Sequence, residues 1–225
     1  MRRRVLAAAI FGLAGTAVLA GLGVWQLERL AWKEALIARL ESRLSAEPVP
    51  LPAAPDPERD NFLRVAVEGR VGDEALYLLT SERPFGPGFR VIAPLASGGA
   101  GRTVLVDLGY IPEAMKGAGV AAGAAARVTG ALYWPEARDS FTPEPDRAAN
   151  IWFARDPQAM AAALGAEPLL IVADAHDLGA WPKPLRLGVN LRNDHLGYAV
   201  TWFAMAAIWA AMSLGLARGE ARRSS

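Results

Sequence analysis

The sequence predicts a membrane α+β protein: a hairpin of two transmembrane helices carrying a β-rich extracytoplasmic domain that contains a short helix. Three observations point there. Val5–Val24 holds no charged residue, and Leu196–Leu216 repeats the pattern at the other end of the chain. Each run has the roughly 20 residues that a helix needs to cross a hydrocarbon core. Between them lie short alternating segments bounded by Gly, Pro and Asp, the signature of strands and turns.

Composition narrows the chemistry. The 225 residues carry 24 basic and 23 acidic side chains, a net charge of +1, so no basic field marks a nucleic-acid partner. Cysteine is absent, which removes disulfides, zinc–thiolate sites, iron–sulfur ligation and thiol nucleophiles. Only His176 and His195 are present, so one chain cannot build a three-imidazole site.

Arg2, Arg3 and Arg4 precede the first span, while Arg218, Arg222 and Arg223 follow the second. The start resembles a secretory signal, but the apolar run is longer than a signal core and no small-x-small cleavage site follows, which favours an uncleaved anchor. The positive-inside rule then gives residues 1–4 as a cytoplasmic N-terminus, 5–24 as the first span, 25–195 as the translocated domain, 196–216 as the second span and 217–225 as a cytoplasmic C-terminus. Arg29, Lys33, Arg186 and Arg192 sit on the outer flanks, where a long translocated domain weakens their vote. Trp25, Trp32, Tyr198 and Trp202 fall where an outer aromatic belt and membrane lipid meet. Ala8, Gly12, Thr16 and Ala20 recur every fourth residue, as do Ala207, Ala211 and Gly215. Such rows predict close pairing of the two helices; an alanine-rich composition also produces them without pairing.

The first helix is expected to continue beyond the span, over 25–44, because no Pro or Gly interrupts it and Leu27, Leu30, Leu36, Ile37, Leu40 and Leu44 keep mostly three-to-four spacing. Pro48, Pro50, Pro52, Pro55 and Pro57 predict an extended connector. Strands are predicted from Leu63 to Glu68, Ala75 to Thr80, Phe89 to Leu95, Thr103 to Tyr110, Val128 to Trp134 and Leu169 to Val172, mostly antiparallel. Pro157–Leu164 is the one short helix, with Asp156 as N-cap, Pro157 at its first position and Gly165 at its end.

Candidate chemistry in the middle of the chain is thin. Ser97-Gly98-Gly99-Ala100-Gly101 lacks the Lys-Ser/Thr of a phosphate loop and reads as a hairpin turn between strands. Asp174-Ala175-His176-Asp177 reads as a solvated polar turn after a strand. No serine lies in a nucleophile elbow, so an enzyme is disfavoured. His195 differs, because it stands at the start of the second span where Asn193 can cap the helix. A helix N-terminus favours the neutral imidazole that binds metal. Tyr198, Ala199 and Trp202 follow on the same face. An imidazole beside aromatic walls, with Arg192 and Arg29 as partners for propionates, meets the needs of haem. An interfacial histidine in a membrane belt is the other reading.

Several motifs resemble one family. Gly23-Val24-Trp25-Gln26-Leu27-Glu28-Arg29-Leu30-Ala31-Trp32-Lys33 is similar to its G-x-W-Q-x-x-R-x-x-W-K motif. Leu40-Glu41-Ser42-Arg43, Glu47–Pro52, Val104-Leu105-Val106, Gly109-Tyr110-Ile111-Pro112, Phe141-Thr142-Pro143-Glu144 and Asn150-Ile151-Trp152 continue the match in order. Leu191–Trp202 is close to L-R-N-E-H-L-Q-Y-x-x-T-W. Asp107-Leu108 departs from the usual Asn-Arg, Asn61–Arg64 from Tyr-Arg-Pro, and Gly197 from a polar residue. The chain thus resembles the Surfeit locus protein 1 family of cytochrome c oxidase assembly factors, as a bacterial member. The resemblance implies an inner-membrane protein with a periplasmic domain that matures subunit I of haem–copper oxidase. It also implies haem a as a transferable cofactor, His195 as the iron ligand and Trp202 as its companion. Tyr198, Arg192, Trp25 and Arg29 complete the expected site. Two function classes stay open: a haem chaperone, and a scaffold holding subunit I or a haem-synthesis enzyme such as haem A synthase without binding haem. An enzyme acting on haem lacks acid–base groups beyond the two histidines.

Overall fold

The computed structural model describes residues 2–98, 101–118, 122–135, 141–189 and 191–222. Its elements, in chain order, are α1 (Arg2–Ser45), β1 (Val49–Pro50), α2 (Pro57–Asp60), β2 (Arg64–Val71), β3 (Leu76–Glu82), β4 (Gly86–Ser97), β5 (Thr103–Pro112), a 3-10 turn at Glu113–Met115, β6 (Ala125–Tyr133), β7 (Ile151–Trp152), α3 (Pro157–Leu164), β8 (Glu167–His176) and α4 (His195–Arg222). They form two compact units, Met1–Arg39 with Val189–Ser225, and Leu40–Gly188.

The first unit consists of α1 up to Arg39 and α4. Both helices are long and apolar enough to cross a membrane. As the uninterrupted spacing predicts, α1 runs through residues 25–44 and stops at Ser45, shortly before Pro48.

The second unit is an eight-stranded mixed sheet in the order β1-β2-β6-β8-β5-β4-β3-β7, and β2 also pairs with β4. That extra pairing, Gly69–Val71 against Leu95–Ser97, closes β2, β6, β8, β5 and β4 into a small barrel. One face of each barrel strand points inward, and Val65, Leu95, Val106, Val128, Leu132 and Ile171 share its core. The opposite faces of β4, β5 and β8 are covered by α3, where Met160 and Ala161 meet Ile92, Leu105, Leu170 and Val172. Central strands covered on both faces explain the nearly continuous apolar runs of β4 and β5.

The predicted α3 is present with its caps. Asp156 accepts from the backbone N–H of Ala159 at 3.0 Å, and Gly165 takes the left-handed conformation. The six predicted strands are all present, and most ladders are antiparallel. The exception of substance is β5 with β8, which is parallel because the chain crosses over through β6 and α3 between them. The expected hairpin joins β4 to β5, with Ser97 N–H donating to Arg102 C=O at 2.8 Å. Gly99 and Ala100 of the predicted turn, like Arg223 among the terminal arginines, lie outside the described residues.

Two expectations need correcting. The proline-rich connector is not merely extended. Val49–Pro50 adds a short parallel edge to β2, and Pro57 opens the single turn α2 because Asp56 caps it, accepting from the N–H groups of Glu58 and Arg59. Asp174–His176 is not a polar turn either. It is the end of β8, where Ala175 and His176 pair with Thr129 and Val128 and Asp174 sits at a bulge, its carboxylate held by Arg64 at 2.8 Å.

On the outer face of β5, Asp107 is fully buried. Its carboxylate accepts from Arg90 Nε at 2.7 Å and from Arg155 Nη2 at 2.9 Å and Nε at 3.1 Å. Burial alone pushes this carboxyl up, but the charges and hydrogen bonds of the two arginines outweigh it and hold it below the usual range. Arg90 also donates to Leu185 C=O at 3.3 Å. Two residues along β5, Gly109 lies at φ +116°, and a Cβ there would stand 2.0 Å from Lys183 O. Only glycine permits that close approach, through which Tyr110 and Lys183 exchange two backbone hydrogen bonds of 2.8–2.9 Å.

Removing the Asp107 charge leaves Arg90 buried without its main partner, so Asp107→Ala is expected to destabilise the chain by about 3–5 kcal/mol in denaturant titrations of the detergent-solubilised protein. Because the folded carboxyl is depressed, its contribution is complete above the ordinary unfolded value of about 4. It is lost as pH falls through the lower folded value. Acid unfolding of the wild type should show that loss, and Asp107→Ala should lack it.

Candidate functional site

The site expected from the sequence lies in the first unit, and its geometry follows from how α1 and α4 touch. On α1 the contact face carries Gly12, Gly15, Gly23 and Gln26; on α4 it carries Ala199, Ala206, Trp209 and Ser213. A Cβ on Gly12 would fall 2.5 Å from Ser213 Cβ, one on Gly15 2.3 Å from Trp209 Nε1, and one on Gly23 2.7 Å from the Phe203 ring. Three glycines thus admit three α4 side chains. Trp209 Nε1–H also donates across the pair to Gly12 C=O at 3.2 Å, using a carbonyl that Thr16 shares at 2.8 Å.

Close pairing was expected, and the row Ala8–Ala20 does follow the contact face of α1. The row expected on α4 does not. Ala207, Ala211 and Gly215 are exposed, and the seam runs instead through the buried Ala199 and Ala206 and through Ser213, which faces Gly12. Small size alone does not choose a face; the bulky Phe203 and Trp209 do, because they need a glycine to sit on.

This seam brings His195 to Gln26. Gln26 is buried, and its Oε1 lies 2.7 Å from His195 Nδ1. The carbonyl oxygen accepts, so Nδ1 carries the proton, and among the described residues nothing bonds the other ring nitrogen, Nε2. Gln26 was not singled out by sequence reasoning beyond its place in the W-Q motif, because its partner lies on the other helix. The expected cap is also corrected. His195 is the first helical residue, Asp194 holds the cap position, and Asn193 Oδ1 is buried with no hydrogen-bond partner.

The remaining expected residues divide. Trp202 is partly buried on the same α4 face as His195 and Ala199, whereas Tyr198 is exposed at its edge. Trp25 and Trp32 are half exposed, and the Arg29 guanidinium lies 4.5 Å over the Trp32 ring, so these three form one open face of α1 beside the seam. Arg192 pairs with the Asp194 carboxylate, and Lys33 donates to Arg192 C=O. Met205 and Met212 line an apolar groove with Phe11 and Trp209, further along α4 than His195.

The other histidine is fully engaged. His176 Nε2 donates to Leu108 C=O at 3.2 Å, and Nδ1 accepts from Leu178 N–H at 3.3 Å. Its ring closes the end of β8 and has no free nitrogen. Among the described residues no three His, Cys, Asp or Glu side chains cluster as a metal cage.

A profile of the SURF1 family matches residues 13–207, which takes in α1 from the middle of its apolar run, the whole barrel and the start of α4. The chain belongs to the SURF1 family. It is 34% identical over 229 residues to the SURF1-like protein of Monosiga brevicollis, covering 91% of this chain and 85% of that one. It is 34% identical to Surfeit locus protein 1 of Mus musculus and 35% identical to that of Homo sapiens, in each case over 83% of this chain and 68% and 70% of theirs.

The seam yields a direct test. Gly15→Leu forces a side chain into Trp209 and is expected to lower the resistance of the helix pair to SDS unfolding by about 1–3 kcal/mol. At Gly21 a Cβ meets nothing within 4 Å, so Gly21→Leu should stay within about 0.5 kcal/mol of wild type. Equal losses in the two variants would contradict the seam.

Proposed function

We propose that this SURF1-family chain is a membrane-anchored assembly factor for haem–copper (cytochrome c) oxidase that binds haem a and assists its insertion into subunit I. The observation that carries the haem reading is His195, with Nδ1 committed to Gln26 and Nε2 free. A metal-binding histidine characteristically donates its second ring nitrogen to a fixed acceptor. His195 is the iron ligand, Trp202 and Tyr198 offer flat apolar walls, and Trp25 adds another. Arg29 and Arg192 supply cations for propionates, with Arg192 exchanging its Asp194 partner. Haem bound there would supply an iron atom for the His195 imidazole to hold. The chain's own residues hold, orient and release it, a binding role rather than a catalytic one.

Both long helices cross the membrane in this reading. The termini lie in the cytoplasm, and residues 25–195 face the periplasm of a bacterial inner membrane, in contact with lipid at the two aromatic girdles. Subunit I is the partner that receives the haem, and haem A synthase is a fitting donor.

The test compares the two histidines. Protein purified in detergent from haem-a-producing cells should show a Soret band that His195→Ala abolishes and His176→Ala leaves in place, the latter at some cost in stability through Leu108 and Leu178. Oxidase in the His195→Ala strain should contain subunit I but lack haem a. Full haem content and an unchanged spectrum in His195→Ala would overturn the ligand and favour a scaffold for subunit I or the haem-synthesis enzyme.

Topology is tested separately. An alkaline phosphatase fusion after Gly130 should be active in intact cells, and an inactive fusion would overturn the orientation.

A further inference from the structure

The histidine proposed as ligand is useful to a metal only in one tautomer. With the proton on Nδ1, the Nε2 lone pair is available; with the proton on Nε2, the lone pair sits on Nδ1 against Gln26, and Nε2 is a donor that cannot ligate. In solution a free imidazole samples both. We propose that Gln26 is a positioning residue that holds His195 in the Nδ1–H tautomer before any haem arrives, so that the free chain presents a ready-made lone pair. This deepens the haem reading and rests on it.

Three features support the assignment. The contact is short, 2.7 Å from Gln26 Oε1 to His195 Nδ1, and it joins residues 169 positions apart, so only helix pairing can make it. Gln26 is buried, which limits the water that could replace this contact. A hydrogen bond in such surroundings is stronger than in water and costly to leave unmade. The pair also sits one turn from two close-packed points of the seam. Gly23 against Phe203 and the buried Ala199 both lie on the side toward Gly12 and Ser213, and they hold the two helices close where ring and amide meet.

Gln26 touches neither iron nor porphyrin in this scheme; it acts through His195. Outer partners of this kind fix ring orientation and raise ligand basicity, and their loss typically costs about 10–100-fold in metal affinity. Leu at position 26 keeps the size and removes the acceptor. Glu keeps an acceptor oxygen at the same reach.

The experiment uses the full chain in detergent with its histidines labelled with nitrogen-15. Only His176 and His195 contribute, and His176, bonded at both nitrogens, serves as the internal control for folding. At pH 8, without haem, wild-type His195 should show a protonated Nδ1 and an unprotonated Nε2. Gln26→Leu should shift His195 toward the other tautomer while the His176 signals stay in place. Titration with haem a should then give an affinity about 10–100-fold weaker for Gln26→Leu and near wild type for Gln26→Glu.

An unchanged His195 tautomer in Gln26→Leu, or a wild-type ring protonated on Nε2, would overturn the role of Gln26. Should Gln26→Leu lose the His176 signature through misfolding, Gln26→Glu carries the test. It must keep the Nδ1–H tautomer and haem affinity, and failure on either overturns the proposal. The two readings fail differently. Retention of haem by His195→Ala removes the ligand itself, whereas an unmoved tautomer in Gln26→Leu removes only the positioning residue.

Discussion

Two helices that are apolar on every side have no amphipathic stripe to tell them which faces should meet. In this protein that decision falls to the fit between glycines on α1 and the large side chains of α4. Where Gly12, Gly15 and Gly23 let the backbones approach, Ser213, Trp209 and Phe203 fill the space, and the Trp209–Gly12 hydrogen bond adds direction. The arrangement of the candidate site depends on this seam. Gln26 and His195 meet because the same face continues along both helices, and the aromatic residues beside them take their positions from the same rotation.

The barrel unit solves a different problem. Its strands carry apolar residues on both faces, so it needs one core inside the ring and another under α3. The price of that second layer is a buried carboxylate, Asp107, which two arginines neutralise; Arg155 comes from the segment leading into α3, and Arg90 reaches on to Leu185. One ionic cluster thus ties β4, β5, the approach to α3 and the chain after β8. Gly109 completes the tie by letting Lys183 pass against β5. A buried ion group of this kind specifies one arrangement more than it adds stability, since its charges were better solvated in the unfolded chain.

Much of this was legible in the sequence, and for identifiable reasons. The two long helices announce themselves by length and lack of charge. α3 was readable because Asp156, Pro157 and Gly165 act within a few residues of each other. The barrel strands were visible through alternation and turn residues. The short edges β1 and β7 were not, because a two-residue strand owes its existence to the neighbour it pairs with. The end of β8 was misread for a related reason. Asp174 and His176 look like solvent-facing residues until Arg64 and the Leu108 carbonyl are brought against them by the sheet.

The same division runs through the site. Residue types and local spacing were enough to single out His195, its place at the start of a helix and the aromatic residues that follow it, because those relations hold within one helix at fixed rise and rotation. They were also enough to place the chain in its family. The partner of His195, the exposed face taken by Trp25, Arg29 and Trp32, and the choice of Ala199, Ala206 and Ser213 over Ala207, Ala211 and Gly215 were decided only by the tertiary structure. Each depends on the rotation of one apolar helix against another, a quantity that packing of distant side chains sets and that no periodicity within either helix encodes.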